Sequence, residues 1–357
     1  MKRGNRLKDK IIVVGGYGQV GSVICHELGR RYPGKVYAAG RHLDRAVHFS
    51  KLTKGKVLPL HFDVKEPTTD DFFKDVALVI MCLDLQKIDF VQACVDHEVN
   101  YLDITADYSI ISKIETLRPK RSTIVLSVGL APGLTNLLTK LGTERLDYVE
   151  EADIHILLGL GEAHGRAAIE WTINQLNSTY TVIERGIEKK VTGFSDGKHV
   201  LFPGGLGTRT TYRFNFSDQH VLPSTLGISS ISTRLCFDSA FMTHVVAGLR
   251  RIGIIRWLEH PKIRKKVVDL LCKIKWGSEV YAVSIVATGI LDGRLTRYQG
   301  SIRGTREFYA TGRVAAFVAN QLYSNPQAPG VYHMEQLFRP MDVLKALEDM
   351  MTFEEKI

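Results

Sequence analysis

The stretch KIIVVGGYGQVGSVICHEL, residues 10–28, decides how the chain folds. Ile11, Ile12, Val13 and Val14 form an unbroken β-branched run, the composition of a strand buried on both faces. Gly16, Gly18 and Gly21 follow at the spacing G-x-G-x-x-G. Val20, Ile24 and Leu28 then recur every four residues, which places them on one face of a helix. A glycine turn between a strand and a helix is the setting in which this spacing signals a dinucleotide site. Gly16 is expected to make the turn, Gly18 to let a pyrophosphate approach the backbone, and Gly21 to let helix and strand pack closely. Tyr17, Gln19 and Val20 complete the loop. The phosphates would face the amides and the positive dipole end of the helix.

Strand and helix patterns keep alternating to about residue 145. Strands are expected at 36–39, 57–62, 78–81, 101–104 and 123–128, with helices at 43–52, around Phe72 and Phe73, at 88–97 and at 110–117. Short strands separated by helices imply right-handed crossovers and one parallel sheet. The fold class is therefore α/β, a Rossmann doubly wound parallel sheet. The end of the second strand normally presents an acid to the ribose 2′-hydroxyl. Here it reads Gly40-Arg41-His42, with Arg45 one turn later. An acid would repel a 2′-phosphate, whereas a guanidinium binds it as a fork. Arg41 and His42 thus point to NADP(H) rather than NAD(H).

Composition sets the bounds. The chain has 357 residues, 45% hydrophobic and 24% charged, enough for one very large domain or two. A net charge of +9 permits acidic partners without choosing among them. No zinc-finger, RNA-recognition or homeodomain pattern occurs, so nucleic acid is disfavoured. Five cysteines, none in a C-x-x-C pair, argue for a reducing compartment and against a disulfide framework or metal site. No signal peptide or membrane-span pattern is read, so a cytoplasmic protein is expected.

After the sixth strand, residues 129–136 carry Pro132-Gly133 at the edge of the sheet where ligands sit, either facing a ligand or simply connecting strand to helix. The next segment reads as α+β with an antiparallel sheet. Residues 149–158 suit a strand. Gly159, Gly161 and Gly165 mark a loop holding Glu162 and His164, and 167–176 suits a helix. Residues 200–207 read as a proline- and glycine-rich loop and 210–216 as a strand. Asp292-Gly293 between two β-rich runs signals a hairpin. Residues 242–274 read as helix broken at His260-Pro261 and rich in Lys and Arg. A packed helix pair with a solvated basic face is favoured there over a membrane-surface helix. Residues 307–323 and 340–351 suit further helices. The expected domains are 1–130, an NADP(H)-binding Rossmann domain; 131–306, an inserted α+β substrate and dimerisation domain; and 307–357, returning to the first. Substrate would bind between the two parts.

IIVVGGYGQVG, the AGR after the second strand, YLDIT, GLAPGLTNLL, AAIEWT and PGVYHMEQL together resemble the saccharopine dehydrogenase-like family, and the likeness is to its shorter members such as lysine and carboxynorspermidine dehydrogenases. The resemblance implies a Rossmann domain with an inserted α+β domain, amine oxidation or imine reduction with NAD(P), and a homodimer formed through the insert. By position it also implies an adenine-side role for Asp63 and Val64. A place beside the nicotinamide ribose falls on Cys82, Leu83 and Asp84, and the fifth-strand motif on Asp103, which could bind ribose or cap the next helix. Reaction at a carbon–nitrogen bond needs one acid or base near nitrogen. Asp107, Tyr108, Glu162 and His164 are the loop candidates. Arg209 and Arg213 could hold a substrate carboxylate, although a plain surface role is favoured for them. Two other readings stay open: a reductase of a carbonyl or lipid-like small molecule, and a cofactor-binding protein without turnover.

Overall fold

The computed structural model describes residues 8–162, 165–273 and 277–357. In chain order its strands are β1 (Lys10–Val14), β2 (Val36–Gly40), β3 (Val57–His61), β4 (Val76–Met81), β5 (Asn100–Asp103), β6 (Thr123–Leu126), β7 (Tyr148–Leu158), β8 (Thr179–Glu184), β9 (Ile187–Thr192), β10 (Lys198–Phe202), β11 (Gly207–Arg213), β12 (Ser230–Phe237), β13 (Val280–Leu291), β14 (Arg294–Thr305), β15 (Gly330–His333) and β16 (Met351–Lys356). The helices are α1 (Gln19–Arg31), α2 (Leu43–Leu52), α3 (Asp70–Phe73), α4 (Asp89–Asp96), α5 (Tyr108–Ile114), α6 (Thr135–Arg145), α7 (Arg166–Gln175), α8 (Asp218–Leu226), α9 (Ala240–Arg251), α10 (Pro261–Leu271), α11 (Glu307–Ser324), α12 (Met334–Leu337) and α13 (Pro340–Ala346). A π turn, Leu130–Leu134, leads into α6, and a 3₁₀ helix, Ile254–Glu259, lies between α9 and α10.

Two compact units result. The first holds the chain up to Pro132 together with Thr311–Leu337. Its sheet has the order β15-β6-β5-β4-β1-β2-β3, and every pairing is parallel. The order turns back at β1, which is flanked by β2 and β4, and this is the switch point of a doubly wound sheet. The β-branched run of β1 is fully buried, as a central strand covered on both faces must be. Burying each such side chain contributes about 1.5–3 kcal/mol relative to leaving it in water. The seventh strand, β15, comes from the late segment and pairs Gly330 with Thr123 and His333 with Leu126.

The second unit holds Gly133–Ala310 and Phe338–Ile357. Its sheet has the order β10-β11-β12-β7-β13-β14-β16, and β8–β9 is a separate hairpin. Helix α6 packs on this sheet; a Cβ at Gly142 would sit 3.2 Å from Ala287 and Tyr298.

The sequence reading needs four corrections here. The sheet is mixed rather than antiparallel, because β12 runs parallel to β7. Residues 200–202 belong to a strand, since Val200 and Phe202 are buried around an exposed Leu201. Residues 338–357 lie with the second unit, because helix α13 ends at Ala346 and residues 351–356 pair with β14. The basic helical segment breaks again at Gly253, whose φ of +82° is left-handed.

The β13–β14 hairpin turns on Asp292 and Gly293, with φ of 51° and 74°. A Cβ at Gly293 would meet nothing within 4 Å. Gly293→Ala is thus expected to cost only backbone strain, about 1 kcal/mol. Urea unfolding should show a lower midpoint with an unchanged slope.

Candidate functional site

The glycine loop is stitched to the strands on either side of it. The amides of Gly15 and Gly16 both donate to the Ala39 carbonyl of β2, at 2.8 and 3.3 Å. Gly18 N–H donates to Gly15 O at 2.9 Å, closing the turn. The left-handed residue is Gly15, with φ of +82°, so the turn belongs to it and not to Gly16. Gly16 is needed for another reason: a Cβ there would lie 2.7 Å from both Ala38 Cα and Val13 O. At Gly21 a Cβ would lie 2.2 Å from Gly15 O. Gly18 differs from both. It is exposed, and its only near neighbour would be Gly15 O at 3.1 Å, so another molecule can approach its backbone. Gly18 is also the N-cap of α1, where first-turn amides lack helical acceptors. The arrangement fits a dinucleotide pyrophosphate.

Tyr17 joins this loop to the end of β2. Its hydroxyl accepts the His42 amide at 3.0 Å, and a Cβ at Gly40 would fall 2.3 Å from that oxygen. Gly40 is therefore glycine to admit the tyrosine. Beyond it Arg41, His42 and Arg45 are all exposed around the first turn of α2. Two guanidinium groups and a helix N-terminus meet there, a setting suited to a phosphate group.

The ends of β3, β4 and β5 complete this side of the sheet. Asp63 Oδ1 accepts the Lys65 amide at 3.0 Å, and Val64 lies between them. The Cys82 amide donates to Val14 O at 3.0 Å. The next side chain, Leu83, reaches over Gly15 to within 3.0 Å of its missing Cβ. Asp103 is 1% exposed and spends both oxygens internally, Oδ2 on the Tyr101 hydroxyl at 2.6 Å and Oδ1 on the Thr105 amide at 2.8 Å. It does not cap the next helix; its two hydrogen bonds tether the loop after β5. Burial pushes its carboxyl up to about 6, with Asp84 adding to the rise and the two hydrogen bonds opposing it. The cap of α5 is Asp107, whose Oδ1 accepts Ser109 N–H at 2.8 Å. Tyr108 starts that helix, and burial followed by the Glu115 charge raises its phenol above the ordinary range.

The second-unit candidates have structural partners. Glu162 is buried and accepts the amides of Glu307 and Phe308 at 2.8 and 3.0 Å, so it caps α11. His164 lies outside the described residues. Arg209, on β11, has a buried Nε without a partner. Arg213 is buried and pairs with Glu184 and, at 2.8 Å, with Asp196; Arg234 also meets Asp196 at 2.8 Å. Burial works against ionising Asp196, but Arg234 and Arg213 outweigh it and hold the carboxyl at about 2. A cavity of about 730 Å³ opens beside these ion pairs, and no residue of the glycine loop lines it. Its acids and bases are largely matched to one another, and it belongs to the scaffold of the second unit. Sequence reasoning missed Gly15, Gly40 and this network. The doubled glycine at 15–16 was the one available signal.

Residues 11–126 match the family model described as saccharopine dehydrogenase NADP binding domain. No curated protein matches. Among solved structures, apo saccharopine dehydrogenase (L-Glu forming) from Saccharomyces cerevisiae superposes with a TM-score of 0.71 at 13% identity, covering 98% of this chain and 100% of that one. DAP dehydrogenase of C. glutamicum, solved in complex with DAP, is a looser likeness. Its TM-score is 0.43 at 13% identity, over 96% and 99% of the two chains. Residues 11–126 are an NADP(H)-binding domain of the saccharopine dehydrogenase kind, the cofactor half of an NAD(P)-dependent oxidoreductase.

Two variants test this geometry. Gly21→Ala forces the loop off Gly15 O, an overpacking that costs about 1–3 kcal/mol. NADPH fluorescence titration should show weaker binding, and unchanged binding would disprove the close-packing role. Asp103 binds its proton more tightly folded than unfolded, so its contribution is greatest below the unfolded value and is lost as pH rises through about 6. Asp103→Asn should therefore gain stability relative to the parent between pH 4 and pH 7, by roughly 3 kcal/mol at most. Urea unfolding at the two pH values measures it.

Proposed function

We propose that this saccharopine dehydrogenase-like chain is an NADP(H)-dependent oxidoreductase that transfers hydride at a carbon–nitrogen bond of an amino-acid-derived amine or imine. The observation that carries the cofactor half of this reading is the exposed Arg41, fixed at the end of β2 next to a residue that hydrogen-bonds the glycine loop. Bound NADPH supplies the hydride. The chain then has to orient an imine carbon and provide one proton to nitrogen. Asp107 and Tyr108 stand after β5, on the edge of the sheet where ligands of this fold sit. Tyr108 keeps its proton at neutral pH, so it serves as a donor and not as a base. Asp107 positions Tyr108 by capping the same helix. The family likeness supports a homodimer, which mass measurement in solution checks.

The test is NADPH oxidation with a panel of 2-oxo acids and amines. Turnover requiring both partners is expected. Saturable NADPH binding with no turnover across the panel would overturn the carbon–nitrogen chemistry and leave the cofactor site standing. Arg41→Asp should weaken NADPH roughly 10- to 100-fold, the loss of a charge-assisted contact, and leave NADH nearly unchanged. Equal losses for the two nucleotides would show that Arg41 does not touch the 2′-phosphate.

A further inference from the structure

We propose that α9, the following 3₁₀ helix and α10 form a docking surface for an anionic phospholipid bilayer, on which they lie at headgroup depth. Of the seventeen large apolar side chains exposed among the described residues, eight fall between 241 and 271. Phe241 is 70% exposed, Ile252 69%, Trp257 66% and Leu270 55%. The inward side is thin: Thr243 is the buried residue of α9, Ile255 of the 3₁₀ helix and Val268 of α10. The helices do pack, α9 on β11 and β12 and α10 on α7, yet these side chains stay exposed.

Their spacing makes stripes. Phe241 and Ile252 are eleven residues apart, three helical turns on one face. Ile254 and Trp257 are three apart in a 3₁₀ helix, where such positions eclipse. Ile263 and Leu270 are seven apart on α10, flanked by Lys262 and Lys266. The three elements pack in succession.

Charge selects the occupant. Residues 250–273 hold eight Lys and Arg against Glu259 and Asp269, and so carry six of the nine net positive charges of the chain. Both acids already have partners: Asp269 pairs with Arg166 at 2.5 Å, and Glu259 accepts from Asn177 at 3.3 Å. A second copy docked by two-fold symmetry would set this charge against itself. A nucleic acid would use the cations but leave Phe241, Ile252 and Trp257 without purpose. Exposed aromatic and aliphatic side chains among Lys and Arg are what an anionic lipid surface binds. No helix among the described residues is long and apolar enough to cross a membrane, so attachment is to one leaflet.

The test is flotation of the full chain with vesicles of phosphatidylcholine alone or mixed with phosphatidylglycerol. Flotation is expected only with the mixed vesicles, weakening as salt rises. Trp257 emission should shift to the blue there, a change absent in Trp257→Phe. Lys262→Glu/Lys265→Glu/Lys266→Glu and Phe241→Ser/Ile252→Ser should each reduce binding about ten-fold or more. Circular dichroism spectra and urea-unfolding midpoints, unchanged in both, show that they fold. Failure to float, or flotation insensitive to both variants, overturns the proposal. So does a concentration-dependent dimer abolished by Phe241→Ser/Ile252→Ser, which assigns the face to a second copy. Binding to duplex DNA without flotation, lost on charge reversal alone, overturns it in favour of nucleic acid. The proposal does not depend on the carbon–nitrogen chemistry, and either can fail alone.

Discussion

The first unit depends on a contact too close for any side chain. Gly21 of α1 approaches the Gly15 carbonyl so nearly that an added Cβ would sit 2.2 Å from it, and one at Gly16 would sit 2.7 Å from Ala38 Cα of β2. These approaches set the angle at which the first helix leaves the first strand. They also leave Gly18 at the helix N-terminus with open space before it. The same close packing explains the small residues of β2: Ala38 faces Gly16, and Gly40 admits Tyr17. Backbone geometry therefore builds the phosphate end of the site, and side-chain charge enters at Arg41 and Arg45.

Much of this was legible in the sequence. The strand–turn–helix signal of residues 10–28, the alternation up to residue 126 and the Asp292-Gly293 turn are local patterns, and local patterns survive folding. What was not legible was non-local. Gly16 reads as the turn glycine until β2 is seen against it. Asp103 reads as a possible helix cap until Tyr101 and Thr105 are seen to hold its oxygens and Asp107 to cap α5. Glu162 looks like a loop acid, yet its partners lie 145 and 146 residues away. The β8–β9 hairpin did carry a signal, Arg185-Gly186 between β-rich runs, with both residues left-handed in the structure.

The second unit handles charge in two opposite ways. Arg213 and Arg234 are buried, and shared carboxylates on Glu184, Asp196 and Asp153 answer them. Such a network recovers its desolvation cost only when complete, and removing one partner typically costs about 3–5 kcal/mol. It ties β8, β11, β12 and β7 into one arrangement. The lysines of α10 are in water, where they cost little and contribute little to stability. A folded-state explanation accounts for the first group but not for the second.

The first sheet also has a consequence for synthesis. Its outermost strand, β15, emerges about 200 residues after β6, the strand it covers. At ribosomal speeds of roughly 5–20 residues per second, β6 waits on the order of 10–40 s with an uncovered edge. During that interval the nascent chain exposes hydrogen-bonding groups that another strand could capture. The interval is a window for chaperone attendance, and it closes only when residues 330–333 have been made.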